Sequence, residues 1–275
     1  MNIRPTAGLV AAGGVNLSFL ARLRPAVMSI SLIKGFSLRV SRRIANGFHH
    51  GSAVTEYAAL SPCKVIWIYA PEELVAGLCR ELASAISLTG KIIIICDTPL
   101  ASIAFSQLLP GARLSTLNPV PGFNEKLFVC EGVESAVAQV RNLVEAARCK
   151  LIQIRPESKS MYLAGVLLSA HMLLPWFAAS VESFRAAGLT RAEASHIAQH
   201  LGTSALRAYV RAGDRAWNPD TFQPLLRAVN ADLSRLSPRD VRLVELVQRG
   251  AEHLLHFSAE KPVFAGRLSK HASAV

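Results

Sequence analysis

Residues able to do chemistry are few in this chain, and they are widely spaced. Lys159 and Tyr162 lie three apart, so on a helix they share a face and could donate hydrogen bonds to a substrate carbonyl during hydride transfer. The plainer reading of the pair is a boundary lysine in water and a half-buried aromatic anchor. His171 follows Tyr162 by nine positions, which on a regular helix puts it nearly opposite. A core histidine with its hydrogen bonds satisfied is the plainer reading of His171. His196 and His200 have zinc-ligand spacing, but "HIAQH" lacks the glutamate of a metalloprotease, and a surface helix face explains the pair. His49 and His50 are adjacent and diverge on any regular element, so they make no metal site without a third ligand. The five cysteines, 63, 79, 96, 130 and 149, are scattered singly and suggest neither a disulfide framework nor a zinc site. No metal is expected. A serine-nucleophile elbow and a phosphate loop ending in Gly-Lys-Ser/Thr are both missing from the sequence.

What remains is phosphate chemistry. The stretch "GLVAAGGVNLSFLARL" (8–23) begins as an apolar run, breaks at Gly13-Gly14 and resumes with helical spacing. A strand, a tight turn and a helix opening on a pyrophosphate would read this way. A dinucleotide fingerprint wants glycine at three places, and here only the middle one, Gly13, is met. Ala11 and Asn16 occupy the other two, and Asn16 would wedge the helix away from the sheet. The stretch therefore reads either as a nucleotide turn or as a plain strand-to-helix connection. Further on, "IKGFSLRVSRR" (33–43) holds no acid of the kind that grips a free ribose. It offers Lys34, Ser37, Arg39, Arg42 and Arg43, which would suit a 2′-phosphate and so NADP rather than NAD. A solvated basic helix face is the bland alternative.

The elements that must position these residues alternate. Runs at 7–12, 26–33, 64–70, 91–97, 112–120, 126–132 and 150–156 read as strands. Helical stretches at 15–23, 37–45, 71–86 and 133–148 lie between them, and Thr98-Pro99 opens a further one. "PEELVAGLCRELASAI" starts with proline and two acids, which are helix-opening signals. The rhythm predicts an α/β fold: a Rossmann-like, mainly parallel sheet domain over 1–156. Past Pro156 only helical periodicity remains. An all-α domain is expected over 157–257, then a basic tail over 258–275.

Composition narrows the class. Of 275 residues 51% are apolar, enough for a substantial core, and the net charge is +11. That charge suits anionic small molecules, and no basic block or aromatic pattern marks a nucleic-acid binder. "MYLAGVLLSAHMLLPWFAASV" (161–181) is long enough to span a bilayer, but it contains His171 and Pro175 and stands alone. It is expected to be a buried core helix, not a membrane span. A helix apolar on every face must be covered, so a homodimer is expected as well. The N-terminus makes a poor signal peptide, and a reducing cytoplasm is the expected compartment.

The order of parts resembles the 6-phosphogluconate-dehydrogenase-like superfamily, which includes pyrroline-5-carboxylate reductase, prephenate dehydrogenase and ketopantoate reductase. It is most similar to a bacterial branch of Rossmann-like oxidoreductases. "GLVAAGGVNLSFLARL" and "IYAPEELVAGLCREL" bear the likeness, together with "LSTLNPVPGF" and "KSMYLAGVLLSAH". The resemblance implies a nicotinamide cofactor over Ala12, Gly13, Gly14 and Val15, with Ala70 and Pro71 near its nicotinamide side. It also implies a small substrate between the sheet's strand ends and the helical half. Two departures matter. Asn118 stands where the family has histidine before proline, and an amide cannot shuttle a proton. His171 stands where relatives carry asparagine. The expected function is NADP-dependent hydride transfer on a small carboxylate-bearing metabolite, or a non-catalytic descendant that kept the fold.

Overall fold

The computed structural model describes residues 7–12, 18–122, 126–216, 224–225, 227–229, 231 and 238–259. Their contacts divide the chain into two units, Met1–Leu167 and Leu168–Val275.

In the first unit the apolar runs become one eight-stranded sheet. Its strands are β1 (Ala7–Ala11), β2 (Ile30–Gly35), β3 (Ser52–Val54), β4 (Val65–Tyr69), β5 (Ile92–Cys96), β6 (Arg113–Pro119), β7 (Leu127–Gly132) and β8 (Lys150–Gln153). They lie in the order β3-β2-β1-β4-β5-β6-β7-β8, and every neighbouring pair is parallel except β6 with β7. β1, β4 and β5 are buried along their whole length, as strands covered on both faces must be. Alternation along β4 splits the core in two. Val65, Trp67 and Tyr69 face one cluster, Ile66 and Ile68 the other. The expected α/β, mainly parallel Rossmann-like sheet followed by helices is the architecture found.

Helices cover the sheet: α1 (Ser18–Arg22), α2 (Arg24–Val27), α3 (Leu38–Phe48), α4 (Glu72–Ala85) and α5 (Glu134–Ala146). The second strand begins later than the sequence suggests. Residues 24–27 are a short helical turn with Pro25 in its first turn, where proline's fixed φ is welcome, and pairing starts only at Ile30. β3 was not foreseen, since three half-exposed residues leave no periodic signal. The helix expected after Thr98-Pro99 is a single 3-10 turn, Ser102–Phe105. The Ser102 N–H, which opens that turn, donates to the buried Glu131 carboxylate at 2.8 Å. At the end of β7, Gly132 sits at φ 140°, and a Cβ there would collide with the Leu114 carbonyl and Ser115.

A last helix of the first unit, α6 (Lys159–Val166), runs on through a π-helical segment, Leu167–His171, into α7 (Leu173–Ala186). In the second unit α7 packs against α8 (Arg191–Ala212) and α9 (Pro238–Ala259). Thr190 caps α8 in a reciprocal box with Glu193, and the edge of the Trp176 ring lies close against Gly250, so that a side chain there would push the ring aside. The long apolar helix is not the buried core helix expected: Pro156–Ala186 leaves 0% of its most apolar window buried. Leu168, Leu174 and Trp176 are all exposed, the first two by about two thirds.

Candidate active site

Parallel strands bring their C-terminal ends to one edge of the sheet, and the strand order turns back between β1 and β4. Open α/β sheets bind ligands at such a switch point. Ala12 and Ala70 follow β1 and β4 at this edge, both buried, and the Ala12 N–H donates to the Tyr69 carbonyl at 3.2 Å. Pro71 is the N-cap of α4. Gly13, Gly14 and Val15 lie outside the described residues, so the phosphate turn has no geometry to report.

The end of β2 is firmly built. Ser41, fully buried on α3, accepts from the Gly35 N–H at 2.7 Å and donates to the Ser37 carbonyl at 3.1 Å. Ser37 caps α3, its hydroxyl accepting from the Val40 N–H. Arg39 points into solvent from the first turn of α3, and that turn has no acidic residue. Lys34 lies close by, at the end of β2. Its ammonium donates to the Gly35 carbonyl at 2.8 Å and rests 4.7 Å from the centre of the Tyr57 ring. Engaged in this way, Lys34 braces the strand end, and Ser37 and Arg39 remain as the donors a 2′-phosphate could use. This donor set, without a carboxylate, fits NADP.

At the far side of the same edge lies a buried polar network. Lys159, the first residue of α6, is not a boundary residue in water but 2% exposed. Its ammonium donates to the Leu100 carbonyl at 2.7 Å, the Thr116 hydroxyl at 2.8 Å and the Asn118 side-chain oxygen at 3.2 Å. It sits 3.6 Å from the carboxylate of Glu131, itself fully buried. Glu131 accepts from the Ser102 N–H and hydroxyl and, at 2.6 Å, from the Thr116 hydroxyl. Burial pulls the Lys159 pKa down to about 8, although the Glu131 carboxylate holds it up. All three ammonium protons have acceptors, so the network ties the start of α6 to β6, β7 and the loop after β5.

Asn118 belongs to this network. Its amide nitrogen donates to the Thr98 carbonyl at 2.8 Å while its oxygen accepts from Lys159. Both ends of the amide are therefore occupied, and the group fixes the Asp97–Leu100 loop. Lys159 and Asn118, predicted separately, thus come together. Tyr162 is half-buried, and burial raises its phenol pKa. His171 is exposed on the π-helical segment and is no core histidine.

Glu131, Thr116, Ser102 and Asp97 were missed by sequence reasoning. An acid inside the apolar strand "KLFVCEG" was the available signal, because a buried carboxylate demands a cation. Asp97 ends the apolar run of β5 with φ 53°. Its backbone N–H donates to the Leu117 carbonyl at 2.9 Å. Its carboxyl is exposed, and among the described residues no hydrogen bond or ion pair engages it. Partial burial raises its pKa, while the Lys159 ammonium draws it back down.

Neither a family model nor a curated protein sequence matches the chain. Solved structures do match its fold. An imine reductase from Aspergillus terreus in complex with NADPH4 is 15% identical with TM-score 0.62, covering 91% of this chain and 95% of that one. An imine reductase from Myxococcus stipitatus in complex with NADP+ is 10% identical with TM-score 0.61, covering 90% and 94%. A pyrroline-5-carboxylate reductase from Coxiella burnetii is 14% identical with TM-score 0.54, covering 92% and 94%. At these identities the likeness is one of fold, extending over nearly the whole of each chain.

Proposed function

We propose that this chain is an NADP-dependent oxidoreductase that transfers a hydride to or from a small carboxylate-bearing metabolite. The observation that supports it best is the end of β2. There a buried serine locks the turn, Ser37 and Arg39 offer hydrogen-bond donors, and residues 33–43 contain no acid to repel a 2′-phosphate. The solved structures of the same fold include proteins described as bound to NADP+ or NADPH4. Ala12 to Val15 would hold the pyrophosphate, with Ala70 and Pro71 beside the nicotinamide. The bound dinucleotide supplies the hydride; the chain positions and polarises the substrate. A net charge of +11 favours an anionic metabolite.

The test is a thermal melt of the full chain with NADPH and with NADH. At a hundred times its dissociation constant a ligand adds about 2.7 kcal/mol of stability. NADPH is expected to raise the midpoint more than NADH does, and Arg39→Glu to abolish that preference. A second reading has its own support. Lys159 and Asn118 have their polar atoms committed to the fold, as they would in a non-catalytic descendant. An unchanged midpoint with either dinucleotide would select that reading.

The working form proposed is a homodimer, with a second copy covering the apolar faces of α8, α7 and the π-helical segment before it. Exposed Leu168, Met172, Leu174, Leu206 and Val210 are the basis for this. Apolar patches beyond a few hundred Å² on a monomer mark an interface.

A further inference from the structure

The geometry points to Asp97 as the catalytic carboxyl that exchanges a proton with the substrate, an inference that rests on the reductase reading above. Four independent features set it apart. It stands at the C-terminal end of β5, next in the sheet to β4, whose end leads into Ala70 and Pro71. Its backbone is held in the left-handed region by neighbours fixed on both sides. The Asp97 N–H is bound to Leu117, the Thr98 carbonyl to Asn118, and the Thr98 side chain, 1% exposed, accepts from the Leu100 N–H. Aspartate tolerates this conformation, but it persists only where surroundings impose it, and such positions cluster at functional sites. Third, the carboxyl is the one polar group of this loop turned outward: Lys159, Glu131, Thr116, Ser102 and Asn118 are all satisfied among themselves. Fourth, the charge that acts on it is the Lys159 ammonium from α6, itself balanced by Glu131 from β7, and the other titratable group that interacts with it, Cys96, lies buried in the strand beneath.

Together these describe an acid able to hold a proton and then to leave as a carboxylate. In the reducing direction the hydride's electron pair forms the new C–H bond of a C=N or C=O substrate. The π pair of the C=N or C=O bond would take the proton from the Asp97 carboxyl, leaving a carboxylate, while a bound dinucleotide would supply the hydride and become its cationic, oxidised form. Lys159 stabilises the carboxylate so formed. A committed amide at 118 explains why the proton must come from elsewhere.

Linkage between Asp97 and the two redox forms gives a test that needs no substrate. Dissociation constants for NADP+ and NADPH would be measured by fluorescence on the full-length protein and on Asp97→Asn, across about pH 4 to 8. Asparagine also tolerates the left-handed backbone, so the variant keeps the loop. If Asp97 faces the ring, its carboxylate favours the cationic form. The NADP+/NADPH ratio of dissociation constants then falls about tenfold or more as pH rises in the parent protein, and stays flat in the variant. A ratio that is flat in both, or pH-dependent in both, overturns the assignment while leaving the reductase reading intact. Failure of the parent to bind either dinucleotide overturns both.

Discussion

Lys159 and Glu131 form the most consequential pair of side chains in the sheet domain. Each is buried, and each would be left as an uncompensated charge or an unfilled set of donors if the other were removed. Lys159→Met is expected to cost about 3–5 kcal/mol in urea unfolding, and adding Glu131→Gln to recover part of that loss. The pH dependence has a definite sign. The folded-state pKa of Lys159, about 8, lies below its ordinary 10.5, so in that window the unfolded chain holds the extra proton. Raising pH from about 8 toward 10.5 therefore stabilises the fold relative to Lys159→Met, and the stability difference between the two proteins widens there. A difference that is constant across the window would mean the amine titrates normally.

At the scale of elements, the β2–α3 connection depends on one hydroxyl. Ser41→Ala strands the buried Gly35 N–H and loosens Ser37, and should cost about 1–3 kcal/mol. If Ser37 contacts the 2′-phosphate as proposed, the same variant should weaken 2′,5′-ADP binding more than 5′-AMP binding, measured by calorimetry, because the cap serine is the displaced group. The strands of the centre were legible because burial on both faces leaves continuous apolar runs, as in "KVIWIYA" and "KIIIICD". Short elements were not. Residues 24–27 and 52–54 carry too few positions for a period to show, and the loop after β5 makes only one 3-10 turn, its first N–H held by Glu131, a partner distant in sequence.

At the scale of the whole molecule, the helix Pro156–Ala186 poses the main physical question: its length and hydropathy would allow it to cross a membrane, and this chain does not bury it. Sedimentation velocity on detergent-free protein should show a homodimer, and Leu168→Glu with Leu174→Glu should shift it to monomer or to aggregate. Partition of the unaltered protein into the membrane fraction would instead assign the helix to lipid. A dimer interface of ordinary size buries about 800 Å² per partner. The exposed leucines and aromatics of α7 and α8, with Met172 just before α7, are of the kind such an interface requires.

Sequence by itself determined the class of fold and the order of its parts. Strand and helix periods are local properties, set by which side chains must face away from water over five to fifteen residues. Only the tertiary structure decided what each polar side chain does. It turned Lys159 inward to a carboxylate on a distant strand, occupied both ends of the Asn118 amide, committed Lys34 to the Tyr57 ring, and left Asp97 facing out. Those outcomes depend on partners brought together from positions tens of residues apart, and the cost of burying an unpaired charge, which selects them, is invisible until the neighbours are known.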